Sequence, residues 1–251
     1  MEGASLRLYE EQLRPHLGRT LLRVGGDRAA QAAPFRHQKL RGVEAAGKLL
    51  FLRFEDPDHL LRVHCLMFGD VRINHTRPGK RLTLRMSFDA GLKVYVYLGA
   101  AKRIALNERD AYDPRLDIMR DTWDEAHAWR ETVAHSRGDR PICEAVLDQR
   151  LYPGFGNKIK NEALFASRLH PLATVAQLDA APEARRALFG EARDFSLRWL
   201  EAVRQDGDHV SPPCATYRRK KCPRCETPFR IEPLGDPPRK TQWCPRCQPA
   251  W

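Results

Sequence analysis

The sequence predicts an α+β protein in which an N-terminal helix leads into an antiparallel β-sandwich, and a helical region with a cysteine-rich C-terminal segment follows. Short β-rich runs separated by turn residues fill residues 20–107, a pattern typical of an antiparallel sandwich or barrel. Beyond residue 120 the apolar residues recur with helical period. Two C-x-x-C pairs lie near the end of the chain. We therefore expect domains at residues 1–120, 121–210 and 211–251.

The first predicted helix covers residues 5–17, because apolar side chains recur there at helical spacing. Ser5 is suited to cap its start, and Pro15 should distort its last turn. The five runs interpreted as strands are residues 49–54, 60–64, 71–73, 82–88 and 94–98.

The polar segment 108–140 is interpreted as a linker in which a helix opens at Asp121. Further helices are predicted over residues 141–151, 157–168 and 182–203, and a Pro-Gly-Phe-Gly turn separates the first two.

The turn before Asn157 is a candidate anion site. Its glycines allow close backbone approach, and the unpaired N–H groups of a helix that begins at Asn157 attract negative charge. Lys158 and Lys160 add positive charge. These features favour contact with phosphate over the alternative, an ordinary helical hairpin.

The two C-x-x-C pairs, Cys222/Cys225 and Cys244/Cys247, are separated by the spacing typical of a zinc site. Two such turns facing each other place four thiolates at the corners of a tetrahedron, the geometry of structural Zn²⁺. Two redox pairs or two disulfides are the alternatives. The other three cysteines are dispersed along the chain, and we expect them to be reduced.

The chain of 251 residues has 43 Lys and Arg against 32 Asp and Glu, a net charge of +11, with a pI of about 9.6. This balance favours a polyanionic partner, nucleic acid rather than a membrane surface. Many of the cations flank the cysteine pairs, which suggests a phosphate-binding surface; a solvated basic face is the alternative. No apolar run approaches a membrane span, and no secretory signal is recognisable, so we expect a cytoplasmic location.

Several stretches together resemble the formamidopyrimidine-DNA glycosylase/endonuclease VIII family, in particular the third vertebrate endonuclease VIII-like glycosylase and its bacterial relatives. The resemblance covers nearly the whole chain in order. The main stretches are residues 147–149, Gly154–Asn157, residues 159–165, His170-Pro171, residues 193–196 and the four cysteines; weaker similarities lie at Glu2-Gly3, Gly47-Lys48 and residues 64–69.

The resemblance implies an N-terminal helix, a β-sandwich, a helix-two-turn-helix module and a zinc finger, with DNA between the two halves. It also implies a mechanism in which a damaged base is flipped out of the helix and the N-terminal amine attacks the sugar C1′. Elimination from the resulting Schiff base nicks the strand. Met1 would supply the amine, Glu2 would protonate the sugar ring, and Lys48 would contact phosphate and assist elimination.

The same resemblance implies that Asn157 and Arg239 bind phosphates beside the lesion and that Met67 fills the gap left by the flipped base. Lys48 as an ordinary strand-end lysine and Met67 as a core residue are the alternatives. For Leu66 and Phe68 two roles are open: a wedge inserted into the DNA, or packing in the protein core.

One departure from the family lies at the start, where the chain reads Met1-Glu2-Gly3 and the family has a proline before the glutamate. We expect Met1 to be retained, because initiator methionine is trimmed before small residues. The predicted function is a monomeric DNA repair glycosylase and lyase for oxidised bases, pyrimidines favoured, in double- or single-stranded DNA, associated with the nucleoid in a bacterium. A non-catalytic or monofunctional damage-binding protein and a zinc-ribbon RNA-binding protein are the alternatives.

Overall fold

An N-terminal helix and two antiparallel sheets form the first of two units in the computed structural model, Met1–Asp113, and helices with a cysteine-rich hairpin form the second, Pro114–Trp251. The structure describes residues 2–110, 112–206 and 212–250. The expected separation of a helical domain from a finger domain at residue 211 stays a prediction, and Met1 lies outside the described residues.

The first unit is the expected sandwich. Its sheets have the strand orders β1-β6-β7-β5 and β2-β3-β4-β8, and every pairing in them is antiparallel. The strands are β1 (Leu21–Gly25), β2 (Gly42–Ala46), β3 (Leu49–Arg53), β4 (His59–His64), β5 (Asp70–Ile73), β6 (Leu82–Phe88), β7 (Lys93–Tyr97) and β8 (Ala100–Ala105). All five predicted runs are confirmed, whereas β1, β2 and β8 carry too little β-branched or aromatic sequence to be recognised alone.

Helix α1 (Gly3–Leu13) differs from its prediction at both ends. Glu2 is the N-cap residue, and Ser5, predicted to cap the helix, is buried within its first turn. After α1 the chain tightens into a 3-10 turn, Arg14–His16, which includes Pro15, so the predicted distortion is confirmed. Leu6, Tyr9 and Leu13 pack into the sandwich core.

A buried carboxylate fastens α1 to the sheet. Glu10 accepts hydrogen bonds from Arg7 (2.7 Å), Arg14 (2.7 Å) and the backbone N–H of Ala45 in β2 (2.9 Å). This contact therefore fixes where α1 lies on the sheet.

Short helices and one long helix make up the second unit. After α3 (Asn107–Asp110) in the first unit, the helices are α4 (Glu125–His135), α5 (Ile142–Ala145), α6 (Asn157–Ala166), α7 (Val175–Asp179) and α8 (Pro182–Asp206). The hairpin strands are β9 (Arg230–Leu234) and β10 (Arg239–Trp243). None of the helices in the described ranges is long and apolar enough to cross a membrane.

Two helical predictions are wrong at their boundaries. The helix expected from Asp121 begins at Glu125, because the carboxylate of Asp124 caps the N–H of His127. It also packs into the second unit through the buried side chains of Trp129 and Thr132, so this part of the expected linker is core. The helix expected over residues 141–151 ends at Ala145, and the residues that follow form turns.

Candidate nucleic-acid interface and metal site

The four predicted cysteines lie together. One sulfur from each of Cys222, Cys225, Cys244 and Cys247 lies within 4.8 Å of the others, and the recorded Sγ–Sγ distances are 3.5, 3.5 and 3.8 Å. Four sulfurs about 2.3 Å from a tetrahedral metal would be about 3.8 Å apart, so the cluster has the right size to hold such an ion. The side-chain and backbone hydrogen bonds of Thr227 lower the pKa of Cys225 to about 6, whereas burial raises the pKa of Cys244 and of Cys247. A bound cation would favour the thiolate form of all the ligands.

Helix α6 supports the cysteine cluster from one side. The guanidinium of Arg224 donates to the carbonyls of Phe165 (2.8 Å) and Ala166 (3.1 Å) and lies over the Phe165 ring. Arg224, a cation between the two cysteines of the first pair, therefore caps the C-terminus of α6. Phe165 and Phe229 pack edge to face beside the cysteines.

The N-terminus of α6 meets strand β10 of the hairpin. Asn157 donates through Nδ2 to the carbonyl of Lys240 at 2.9 Å, and Asn161 donates to the same carbonyl at 3.3 Å. Arg239, the residue before Lys240, is exposed at the start of β10. The contact therefore places Asn157 against the residue that follows Arg239 in β10.

No side chain caps α6, whose N-cap residue is Gly156. The Oδ1 atom of Asn157 is buried, with no hydrogen-bond partner in the described part of the chain.

Lys160 does not belong to this surface, which corrects the prediction that it binds DNA. The whole residue is buried, with 0% of its surface exposed, and its Nζ donates to Thr241 Oγ1 at 2.7 Å. Lys160 therefore lies on the side of α6 that packs against β10. Its role in the structure is therefore to hold the hairpin against the helix.

Lys158, the second residue of α6, contacts two aromatic rings. Its Nζ lies 4.3 Å from the ring centre of Trp199 and 4.5 Å from that of Tyr217. Such cation–π contacts keep a positive charge near Asn157 while fixing the position of the side chain.

Glu162 is a further important residue that the sequence did not single out. Its buried carboxylate accepts from the backbone N–H groups of Ala215 (2.7 Å), Thr216 (3.0 Å) and Tyr217 (3.0 Å), and from the Thr216 hydroxyl. This one side chain ties α6 to the segment that enters the first cysteine pair. A glutamate on a helix gives no sequence signal of this kind, because its partners lie about 53 residues away.

In the first unit, Lys48 lies in the two-residue turn between β2 and β3, after Gly47, whose φ is +58°. Strand pairing places Leu49, the next residue, opposite His64 at the end of β4. Burial and the positive charge of Lys48 lower the pKa of His64, so the imidazole is neutral at pH 7. His64 is thus a polar neighbour of Lys48 that the sequence analysis did not assign.

The loop between β4 and β5 presents three apolar side chains to solvent. Leu66, Met67 and Phe68 are 46%, 65% and 74% exposed. Behind them Gly69 has no room for a Cβ, which would lie 2.3 Å from the Cys65 carbonyl. None of the three residues is part of the core, which contradicts the core alternative, and a closely packed backbone supports the exposed tip.

The chain is similar to known proteins over most of its length. The chain is 32% identical over 220 residues to Endonuclease 8-like 3 of Mus musculus, covering 82% of this chain and 34% of that protein. It is 30% identical over 237 residues to Endonuclease 8-like 2 of Bos taurus, covering 90% and 67%. The chain thus spans about a third of the length of the first curated relatives it matches. No family model matches it.

Two solved structures share the fold. One is a viral DNA glycosylase, with a TM-score of 0.86 and 20% identity over 99% of this chain and 100% of that one. The other is the complex between the Lactococcus lactis Fpg and an abasic site containing DNA, with a TM-score of 0.79 and 18% identity over all of both chains.

The high TM-scores over the full length of both chains show that the fold described above, an N-terminal helix on a β-sandwich followed by a helical unit, is shared with these two solved structures. With the sequence identity to the endonuclease 8-like proteins, this assigns the chain to a family. It belongs to the formamidopyrimidine-DNA glycosylase/endonuclease VIII family.

Proposed function

We propose that the protein is a DNA repair glycosylase that excises oxidised bases, pyrimidines favoured, and nicks the strand as a lyase. The observation that carries the proposal is the junction of α6 and β10, in which Asn157 bonds to Lys240 beside the exposed Arg239. This arrangement offers amide and guanidinium donors to phosphate within a family whose relatives are named endonucleases. Damaged DNA, double- or single-stranded, is the proposed partner, bound by a monomer.

The proposed nucleophile is the amine of Met1. An α-amine has an ordinary pKa of about 7.7–8.0, so a fair fraction is uncharged at neutral pH. Its lone pair forms a bond to the sugar C1′ as the bond from C1′ to the damaged base breaks. Loss of an amine proton and opening of the sugar ring leave a C1′=N Schiff base. Removal of a C2′ proton then breaks the C3′–O bond and nicks the strand.

Glu2 is the proposed proton donor to the sugar ring oxygen. It is the N-cap residue of α1 and is half-buried, next in the chain to the proposed nucleophile. Because Glu10 fastens α1 to β2, the position of Glu2 is set by the sheet rather than by a mobile terminus. Lys48, in the turn that follows β2, is proposed to bind a DNA phosphate and assist elimination, with the neutral His64 as its neighbour.

Met67 is the proposed gap-filling residue. An exposed methionine on a closely packed loop can enter the space of a flipped base without losing core packing. Leu66 and Phe68 flank it, which makes the tip apolar.

Zn²⁺ is the proposed occupant of the four-cysteine cluster, where it would supply structural cross-linking and no reaction chemistry. Its ligands would be Cys222, Cys225, Cys244 and Cys247. The cluster joins the segment at Cys222 to β10, so it determines where Arg239 lies. A cytoplasmic location, at the nucleoid in a bacterium, completes the proposal.

Borohydride trapping on DNA with an abasic site, followed by peptide mass spectrometry, tests the proposal. We expect a covalent adduct on the Met1 amine. Glu2→Gln should abolish base excision while leaving DNA affinity unchanged. Intact mass that shows Met1 removed or acetylated in an active enzyme would overturn the nucleophile assignment. Absence of any adduct from protein that binds the same DNA would indicate a monofunctional glycosylase or a non-catalytic binding protein.

A further inference from the structure

The outer face of the sheet β1-β6-β7-β5 has a strongly positive charge. Side chains alternate along these strands, and one side packs into the core through Val24, Met86, Val94 and Ile73, among others. The opposite side carries Arg23 on β1, Arg85 on β6, Lys93 on β7 and Arg72 on β5. We call these four residues the cationic sheet face; Arg23, Arg85 and Lys93 are exposed and Arg72 is partly exposed.

Strand register fixes the spacing of these charges. Arg85 pairs with Tyr95, which pairs with Arg72, and Ser87 pairs with both Arg23 and Lys93. Neighbouring strands are about 4.8 Å apart and alternate residues on a strand about 7 Å apart. Each cation therefore has another about 8–10 Å away, within roughly one Debye length at 0.1 M salt, so that their potentials add.

The acidic residue at the end of this face does not cancel its charge. Asp70 is buried, and its Oδ2 accepts from Arg72 (2.9 and 2.7 Å) and Arg77 (2.9 Å). Two guanidinium groups on one carboxylate leave a net positive charge. Arg77 is held at this face by its backbone N–H, which donates to Tyr97 Oη at 3.0 Å.

The cationic sheet face continues from the exposed apolar loop. Strand β5 begins at Asp70, directly after Gly69, and Arg72 is about 7 Å farther along the strand. DNA that receives Met67 in its stack therefore lies at one end of this face. The first unit also holds 20 of the 43 Lys and Arg but only 13 of the 32 Asp and Glu.

We propose that the cationic sheet face binds phosphates of a DNA segment that flanks the lesion. The proposal rests on the proposed function, because it takes DNA at the Met67 loop as its starting point. Tyr95 and Tyr97 stack on each other and are largely buried on this side of the sheet, so the face offers charge rather than base stacking. The binding is expected to be independent of sequence and strongly dependent on salt.

The test compares a triple charge reversal, Arg23→Glu, Arg85→Glu and Lys93→Glu, with the matched control Arg28→Glu, Arg36→Glu and Lys39→Glu. The control residues are exposed cations of the same unit that lie outside the face. Full-length proteins are titrated with abasic-site duplexes of about one and about three helical turns, at several salt concentrations. Circular dichroism and thermal melting establish that both variants are folded.

For the long duplex we expect the face variant to bind at least about tenfold more weakly than the control, and its plot of log K against log salt to be shallower by about 2–3. Both variants should trap and nick the short duplex like the unmodified protein. Equal binding of the long duplex by the two variants would overturn the inference. If the unmodified protein formed no covalent adduct with the short duplex, the proposed function would be overturned instead. The inference would also be overturned if the face variant lost more affinity for anionic vesicles or structured RNA than for long DNA, because the face would then serve another partner.

Discussion

Two buried glutamates fix two helices in place, and their hydrogen-bond partners differ. Glu10 lies on α1, which carries the proposed catalytic residue Glu2, and Glu162 lies on α6, which carries the proposed DNA-binding residue Asn157. Glu10 fixes α1 to β2 through the backbone N–H of Ala45, and it also pairs with Arg7 and Arg14 of its own segment. The Arg14 side chain is 64% exposed. Glu162 fixes α6 to residues 215–217 through backbone N–H groups and a hydroxyl. A side-chain partner near water can turn away and be solvated, whereas a backbone donor inside the protein cannot.

The difference teaches where the fold tolerates change. At α1 the carboxylate has charged partners that can be replaced by water, although the Ala45 N–H cannot. At α6 the chain path itself depends on the carboxylate. We therefore expect the junction of α6 with the finger to be the more sensitive of the two regions.

Loss of the metal is expected to have the largest effect. Cys244→Ser or a strong chelator should unfold the finger, displace Arg239 and lower DNA affinity on the order of a hundredfold at 0.1 M salt, because several phosphate contacts are lost together. The sandwich should keep its β-sheet circular dichroism. The matched control is Cys214→Ser, since Cys214 lies outside the four-sulfur cluster; unchanged affinity in Cys244→Ser would contradict a structural role for the ion.

Replacing the two glutamates by glutamine tests the comparison directly. Glu162→Gln is expected to lower the free energy of unfolding by about 2–3 kcal/mol, because its new NH₂ group must face a buried N–H donor. Glu10→Gln should cost only about 1 kcal/mol, because the amide oxygen can keep the Ala45 bond while Arg14 turns to water.

Denaturant melts of both variants under the same conditions provide the measurement. We expect the free energy of unfolding to be lowest for Glu162→Gln, intermediate for Glu10→Gln and highest for the unmodified protein. An equal or larger loss in Glu10→Gln would contradict this order and show that the ion pairs within the α1 segment contribute as much stability as the backbone donors around Glu162.

The smallest expected effect concerns pH. Burial, followed by the nearby positive charge, lowers the pKa of His64 beside Lys48 and of His170 beside Arg230. The unfolded chain, with histidine pKa values near the ordinary 6.5, then binds more protons as pH falls, so stability is lost from about pH 7 downward. His64→Gln should make the decline between about pH 7 and pH 5 shallower than in the unmodified protein. Denaturant melts across this pH range provide the measurement, and an unchanged slope in His64→Gln would contradict the expectation.

The order of the elements and most of the candidate site could be predicted from the chain. Period-2 and period-3.6 patterns act over a few residues, so β3 to β7, α6 and α8 were recognised close to their true bounds. Boundaries were less predictable, because a single capping side chain such as that of Asp124 decides where a helix begins. Strands β1, β2 and β8 form because neighbouring strands pair with them, which no local pattern reports.

The sequence by itself determined the four metal-ligand candidates, since C-x-x-C spacing already implies two thiolates on one turn, and it determined the helix start at Asn157 through the glycines before it. Only the tertiary structure decided what each basic residue does. Lys160 is buried against Thr241 and Arg224 caps α6, whereas Arg239 remains exposed. Charge is written in the sequence, but whether a cation meets solvent depends on which element packs over it, and that is decided by contacts between residues far apart in the chain.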